Sequence, residues 1–170
     1  MARRVTVLAA AALVAAGLFA GWGAWSWLTA ARDDTLAAAA ARDEALRAGR
    51  EHVAQVTTLD YRDVEAGIRR WLAVSTGPLR DEYAATDERT RTRLREGGTV
   101  ATGRVLEAAL SELDVEAGTA KMLVSVEITT ARDGTEPAAT RNRFVAGLRR
   151  TDGGWKLSAL DAVPVGGGAS

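Results

Sequence analysis

Few side chains in this sequence could carry acid–base chemistry, and two pairs of aspartate and tyrosine stand out. Asp60 directly precedes Tyr61, and Asp81 lies two residues before Tyr83. A carboxylate near a phenol can transfer a proton when both groups lie in a cavity. The same pairing is typical of ordinary packing, because a buried tyrosine hydroxyl needs a hydrogen-bond partner. We favour the packing role, with Asp60 or Asp63 capping a helix.

The other candidates for chemistry are weaker. His52 is the only histidine, Asp161 is the remaining acidic candidate, and the chain has no cysteine. A transition-metal site usually needs several histidine or cysteine ligands. The glycines at Gly97-Gly98 and Gly153-Gly154 mark turns rather than a phosphate-binding loop. The sequence therefore predicts a protein that is not an enzyme, with no catalytic residue, no cofactor and no metal site.

The balance of basic and acidic residues limits the kinds of partner that the protein could attract. The chain has 22 basic and 22 acidic residues. Without Arg3 and Arg4, which precede a long apolar segment, 20 basic residues remain against the same 22 acidic ones. A domain so close to neutral has no global field for attracting nucleic acid. We predict no nucleic-acid partner.

An uncharged run extends from Val5 through Leu28, directly after Arg3 and Arg4. As a helix it is long enough for the ~30 Å hydrocarbon core of a bilayer. Basic residues stay on the cytoplasmic side. We therefore expect a cytoplasmic N-terminus at residues 1–4, a transmembrane helix in contact with lipid at 5–28, and an extracytoplasmic remainder. This describes a single-pass protein of the cytoplasmic membrane. The alternative is a signal peptide cleaved near Thr29-Ala30-Ala31.

Residues 29–57 are predicted to form a helical stalk. Ala, Leu, Arg and Glu dominate this stretch, and these residues favour helix. Ala39, Leu46 and Val53 recur at intervals of seven residues, which also suits a coiled-coil contact with a partner helix. We favour a stalk whose second half packs on an extracytoplasmic domain at residues 58–164. A flexible glycine-rich tail follows at 165–170.

The first part of this domain has the pattern of helices. Asp63 can cap a helix on which Val64, Ile68 and Trp71 share one face. Pro78 suits the first turn of the next helix. The domain is therefore expected to begin with helices.

The apolar period then changes to two, which is typical of strands. Apolar and polar residues alternate through Thr119–Thr130, and only Leu123 departs from the pattern. Thr140–Arg150 alternates in the same way, and a turn at Thr151–Gly154 precedes a last strand. Val100–Leu113 is ambiguous, because its centre has the composition of a helix. Helices followed by an antiparallel sheet define an α+β fold.

Three short segments occur together behind the apolar run. They are Val56–Arg62 (VTTLDYR), Thr76–Tyr83 (TGPLRDEY) and Gly154–Leu160 (GWKLSAL). This set resembles the Mce-associated membrane proteins, which are single-pass accessory proteins of the Mce lipid-import systems of actinobacteria. The resemblance implies a cystatin-like or NTF2-like domain, with Val100–Leu113 as the first strand of an antiparallel four-stranded sheet.

The resemblance also implies a function. The protein would be a membrane-anchored, non-enzymatic accessory subunit that binds and stabilises an Mce-type lipid transport complex on the outer face of the cytoplasmic membrane. Its partners would be Mce-type transporter subunits or other envelope membrane proteins. The candidate pocket or partner contacts are Tyr61, Tyr83, Trp71, Met122, Phe144 and Trp155.

Two alternatives stay open at this point. The first is a cone-shaped domain that binds a lipid or small molecule against the apolar face of the sheet. The residues that would line this cone include Met122, Val124, Val126 and Phe144. The second is a ketosteroid isomerase-like enzyme, which would need Asp60, Asp81 or Asp161 inside such a cavity.

Overall fold

The computed structural model describes residues 36–132 and 134–163. The chain divides into two compact units, residues 1–40 and 41–170, and the described part of the first unit is helix over 36–40. Among the described residues, no helix is long and apolar enough to cross a membrane. The predictions for residues 1–4, 5–28 and 165–170 concern segments outside the described residues.

Helix α1 covers residues 36–56, and small residues form its buried side in the second unit. Ala45, Gly49 and Val53 recur at intervals of four positions and are buried. A Cβ atom on Gly49 would lie 2.9 Å from the sulfur of Met122, so the backbone of α1 approaches the sheet closely. Val53 of the predicted stripe is buried, and Leu46 packs partly buried against the core.

Short elements connect α1 to the long strands. They are the strand β1 at Leu59–Asp60, a 3₁₀ turn at Tyr61–Asp63, and the helices α2 at Val64–Val74, α3 at Gly77–Ala84 and α4 at Glu88–Glu96. Asp60, Asp63 and Asp87 each accept a hydrogen bond from a backbone N–H two or three residues later, at 2.8 to 3.0 Å. These bonds satisfy N–H groups that the first turn of a helix leaves without partners.

The long strands follow in sequence. They are β2 at Thr99–Asp114, β3 at Thr119–Arg132, β4 at Ala138–Thr151 and β5 at Gly154–Ala162. All neighbours are antiparallel, and the order across the sheet is β1-β2-β3-β4-β5. Each strand thus lies beside the next one in the chain.

The α+β class agrees with the sequence prediction, but the predicted four-stranded sheet is wrong, because the sheet has five strands. The additional strand is β1, which pairs Leu59 with Ala101 and Asp60 with Val100. Two residues are too few to show an alternating pattern. The transmembrane helix of the predicted architecture is not among the helices of the described residues.

The region Val100–Leu113, whose composition suits a helix, is a strand. It pairs with β3 over nearly its whole length, with bulges near Leu106 and Ser111. Strand formation depends strongly on burial and cross-strand contacts, and here these contacts outweigh the local preference for helix.

The core lies between the helices and one face of the sheet. Met122, Leu148 and Leu157 come from three neighbouring strands and are at most 1% exposed. Val53 of α1 and Leu79 of α3 belong to the same cluster. Burial of each such side chain contributes about 1.5–3 kcal/mol, so this face of the sheet is the main source of stability.

Candidate functional site

The sheet has an inner face, which packs against the helices, and an outer face. Successive side chains of a strand point to opposite faces. Met122, Val124 and Val126 of β3 are buried and therefore define the inner face. Leu123 lies between them in sequence and is 51% exposed. It belongs to the outer face, where most neighbours are polar.

An apolar row crosses the outer face at Leu123. The strand register places this residue opposite Ala109 of β2 and Val145 of β4. On one side of the row, the ammonium group of Lys121 lies 3.0 Å from a carboxylate oxygen of Glu112. The row is thus an apolar band on an otherwise charged surface.

A groove of about 600 Å³ is lined by residues of β2, β3 and β4. Its lining includes residues of both faces of the sheet, since Phe144 pairs with the inner-face residue Val124, whereas Leu123 belongs to the outer face. Val163 follows β5, and its N–H donates to the backbone oxygen of Arg143 at 2.9 Å. We call this feature the cross-strand groove. Its volume is within the range of about 300–1,000 Å³ that is typical of small-molecule sites.

Two arginines line the cross-strand groove, Arg50 from α1 and Arg143 from β4. Within residues 36–132 and 134–163, neither guanidinium group forms an ion pair. Two arginines of the outer face do form ion pairs, since Arg104 and Arg141 lie 2.7 and 3.7 Å from the carboxylate of Glu127. The hydrogen bond from Arg104 lowers the pKa of that carboxyl group.

Among the sequence-predicted site residues, the structure brings Trp71 and Tyr83 together. Their ring centroids are 5.4 Å apart with an angle of 45° between the ring planes. The indole N–H of Trp71 donates to the backbone oxygen of Thr58 at 3.3 Å. Burial, followed by the charge of Glu82, raises the pKa of Tyr83 to about 12. This pair contributes to packing between α2 and α3.

Most of the predicted contacts belong to the core. Met122 and Trp155 are buried, with 0% and 2% exposure, and Trp71, Tyr83 and Phe144 pack against the same hydrophobic cluster. Phe144 also lines the cross-strand groove. Tyr61 is partly exposed, and the guanidinium carbon of Arg62 lies 4.6 Å from its ring centroid. The predicted contacts therefore contribute mainly to the packing of the domain.

The acidic candidates are not placed for catalysis. Asp60 caps the 3₁₀ turn, while Asp81 and Asp161 are exposed, and none of the three lines the cross-strand groove. His52 lies inside the fold, with Nε2 at 2.9 Å from the backbone oxygen of Trp155. The described residues also contain no cluster of His, Cys, Asp and Glu side chains that could hold a metal ion. The groove is thus suited to binding by apolar contact and charge.

Sequence reasoning did not identify the cross-strand groove. Arg50 and Arg143 are ordinary charged residues in the sequence, and the folded structure is needed to show that both line one groove. Leu123 was visible in the sequence as an apolar residue at a position where β3 should be polar. A single exposed apolar residue is common on protein surfaces and does not by itself indicate a site.

The fold is similar to that of several solved structures. An IcmL-like type IV secretion system protein from Legionella pneumophila matches with a TM-score of 0.60 at 12% identity, covering 76% of this chain and 96% of that chain. A periplasmic fragment of TraM matches with a TM-score of 0.56 at 12% identity, covering 71% and 95%. Agrobacterium tumefaciens VirB8 gives 0.50 at 14% identity, covering 71% and 92%. The fold is thus an α+β domain of the kind found in these proteins.

The sequence comparison identifies the family. The chain belongs to the Rv1363c/MT1408-like family, described as uncharacterized proteins, whose family model matches residues 4–164. The match includes the apolar segment at 5–28 as well as the folded domain. No curated protein matches the sequence.

Proposed function

We propose that the protein is a non-enzymatic accessory subunit of the cell envelope that binds and stabilises an Mce-type lipid transport complex. Its folded domain would act on the outer face of the cytoplasmic membrane. The partners would be Mce-type transporter subunits or other envelope membrane proteins. Membrane attachment would raise the local concentration of the domain near its partner, so that a modest affinity is sufficient.

The observation that carries this proposal is the fold. One similar solved structure is named as an IcmL-like type IV secretion system protein, and two others are named as a periplasmic fragment of TraM and the periplasmic domain of DotI. A shared fold does not by itself transfer a function. The shared fold nevertheless supports a role in the cell envelope, because the same sequence also has an apolar segment after Arg3 and Arg4.

The Mce part of the proposal depends on the sequence segments Val56–Arg62, Thr76–Tyr83 and Gly154–Leu160. In the structure these segments lie near one another in the fold, since Thr76 donates its N–H to the backbone oxygen of Leu157 at 2.7 Å. They therefore support the architecture of the domain. The identity of the partner requires a direct test.

The non-enzymatic part is supported by the positions of the acidic side chains. A ketosteroid isomerase-like reaction needs a carboxylate inside a cavity. Asp60, Asp81 and Asp161, the three residues named for that role, do not line the cross-strand groove.

Co-purification from the native membrane tests the proposed function. The full chain carries a C-terminal tag, is extracted with a mild detergent, and the bound proteins are identified by mass spectrometry. We expect Mce-type transporter subunits in the eluate. Recovery of secretion-system subunits in their place, or of no envelope protein, would contradict the assignment.

A control variant distinguishes partner binding by the folded domain from nonspecific binding by the apolar segment at residues 5–28. Leu157→Asp puts a charge into the core, where Leu157 has 0% exposure, and disrupts the domain while leaving residues 5–28 intact. We expect this variant to lose the transporter subunits. Retention of the same proteins by the unfolded domain would attribute the binding to the N-terminal segment.

The proposed location has its own test. In spheroplasts, external protease should remove the folded domain from the full chain, because the domain would lie outside the cytoplasmic membrane. Protection of the domain until the membrane is broken would contradict this orientation.

A further inference from the structure

The two edges of the sheet differ in how far the fold covers them. At one edge, β5 is joined to the segment between α2 and α3, because Thr76 donates its N–H to the backbone oxygen of Leu157 at 2.7 Å. At the other edge, β1 pairs with β2 only at Val100 and Ala101. Most of the length of β2 is therefore left with a strand neighbour on one side only.

Residues 104–114 of β2, which we call the open edge, have no strand beside them on the side away from β3 within the described ranges. Just before this edge, Gly103 donates its N–H to the hydroxyl of Thr58 at 3.0 Å, on the side away from β3. Val105 is two residues further along, so its N–H and C=O point in the same direction. Outward backbone groups of this kind are a template for another strand, and an extended peptide is the ligand that satisfies them.

A second groove accompanies the open edge on the inner side of the sheet. It has a volume of about 480 Å³, lies between α1 and β2, and has Leu46 and Val105 as its apolar lining. Val105 belongs to the inner face, because it pairs with the buried residue Val126. Alternate side chains of an added strand would point to this face. The second groove can therefore accept an apolar side chain of such a strand.

The open edge and the residues that follow it are acidic. Residues 104–116 contain one basic and four acidic residues, which gives a net charge of −3. Arg104 forms an ion pair with Glu127, whereas Glu107 and Glu116 are exposed and form no ion pair among the described residues. Opposite charges on neighbouring strands stabilise a sheet, and like charges destabilise it. The charge of the edge therefore favours an added strand that carries lysine or arginine.

A second copy of the same edge does not have these properties. Pairing β2 with itself would bring two acidic strands together. The strand also has bulges near Leu106 and Ser111, which interrupt its register. Charges and bulges are the features by which natural sheets avoid pairing with one another through their edges. A flexible extended segment follows such an edge more readily than a second rigid sheet.

We propose that the open edge of β2 binds an extended basic segment of an envelope protein, which adds a strand to the sheet. This inference rests on the proposed accessory function and assigns a surface to it. Main-chain hydrogen bonds to β2 would supply the affinity. Contact with Leu46 and Val105 on one face, and the charge of Glu107 on the other, would select the segment.

Hydrogen exchange tests the open edge without any substitution. The tagged full chain is purified from the native membrane with its partner, and the same chain is purified after expression without the partner. Mass spectrometry of peptides compares the exchange of backbone amides in the two samples. Over residues 104–114 we expect exchange to be about tenfold slower in the complex, because outward amides gain partners. Exchange over β5 should be unchanged. Equal exchange of residues 104–114 in the two samples would overturn the proposal.

Two substitutions at Val105 separate backbone pairing from side-chain contact. Val105→Pro removes an outward N–H, whereas Val105→Ala keeps this N–H and shortens the side chain. The N–H that proline removes is not bonded to β3, so the pairing of β2 with β3 remains. We expect Val105→Pro to recover about one tenth of the partner that Val105→Ala recovers. Equal recovery by the two variants would contradict strand addition.

Charge reversal provides the test if circular dichroism shows that Val105→Pro does not fold. Glu107→Lys should reduce recovery of the partner by about two- to fivefold, because it places a positive charge opposite a basic segment. Glu136→Lys is the matched control, since Glu136 is exposed in the loop between β3 and β4. This control should recover the partner as wild type does. Equal recovery by Glu107→Lys and Glu136→Lys would contradict a basic segment.

Failure of this proposal is distinguishable from failure of the accessory function. If wild type recovers transporter subunits while exchange of residues 104–114 does not change, the open edge is excluded and the accessory function is retained. If wild type recovers no envelope protein, the accessory function itself is contradicted, together with the surface assigned to it.

Discussion

The two faces of the sheet differ in what their side chains do. On the inner face, Met122 and Leu148 are buried against α1, and their contacts hold the domain together. On the outer face, Leu123 is 51% exposed and lies beside Ala109 and Val145 of the neighbouring strands. The inner face therefore supplies stability, whereas the outer face leaves apolar side chains in contact with solvent. The following predictions test this difference.

The largest expected effect compares one leucine from each face. Leu148→Ala should lower the free energy of unfolding by about 2–5 kcal/mol, because it leaves a cavity in the core. Leu123→Ala removes the same atoms from an exposed position and should change it by less than about 0.5 kcal/mol. Chemical denaturation of the full chain measures both. Similar losses for the two variants would contradict the division between the faces.

A smaller effect is expected where α1 meets the inner edge of the sheet. A Cβ atom on Gly103 would collide with the hydroxyl of Thr57 and lie 2.6 Å from its Cβ. Gly103→Ala should therefore cost about 1–3 kcal/mol through overpacking. Gly153→Ala is the control, since the nearest atom to its new Cβ would be 3.6 Å away. Equal stability of the two variants would disprove the close contact.

Tyr83 should make stability depend on pH in the alkaline range. The pKa of Tyr83 is raised to about 12 by burial and by the charge of Glu82. Its neutral form is favoured in the folded state, so stability is fully present below about pH 10, the ordinary value, and decreases as the pH rises towards 12. Tyr83→Phe keeps the ring beside Trp71 and should weaken this loss, as measured by unfolding at several alkaline pH values. An unchanged alkaline profile would contradict the burial of the hydroxyl.

The smallest effect concerns the outer face beside the groove. Arg104, through its hydrogen bond, and Arg141 lower the pKa of Glu127. The interaction therefore stabilises the fold at pH values above the ordinary glutamate pKa and is lost as the pH falls through the lowered value. The stability difference between wild type and Glu127→Gln should shrink in acid. A difference that is constant with pH would indicate no role for these ion pairs, as is common at surfaces.

The sequence predicted most of the architecture, because the signals were local. Alternation in β3 and β4 and the caps at Asp60 and Asp63 are visible over a few residues, and the structure contains all of them. The two-residue strand β1 has no such signal. The local composition of Val100–Leu113 favours a helix, whereas long-range pairing with β3 makes this segment a strand.

The candidate site was much less predictable. The residues proposed from the sequence were large aromatic or apolar side chains, and Met122 and Trp155 are core residues. The cross-strand groove depends on the pairing of β2, β3 and β4, and its lining also includes Arg50 of α1. Leu123 was visible as an exception to alternation, but its partners were not.

The difference between the faces is tested most directly by the reactivity of single cysteines, since the chain has no cysteine of its own. In the full chain, Leu123→Cys and Leu148→Cys are each exposed to a water-soluble maleimide, and mass spectrometry measures the rate of labelling. The Leu123→Cys thiol should react as an exposed cysteine does, because Leu123 is 51% exposed. The Leu148→Cys thiol should stay protected until the domain unfolds, because Leu148 is 1% exposed. Equal rates for the two variants in the folded domain would contradict the division between the faces.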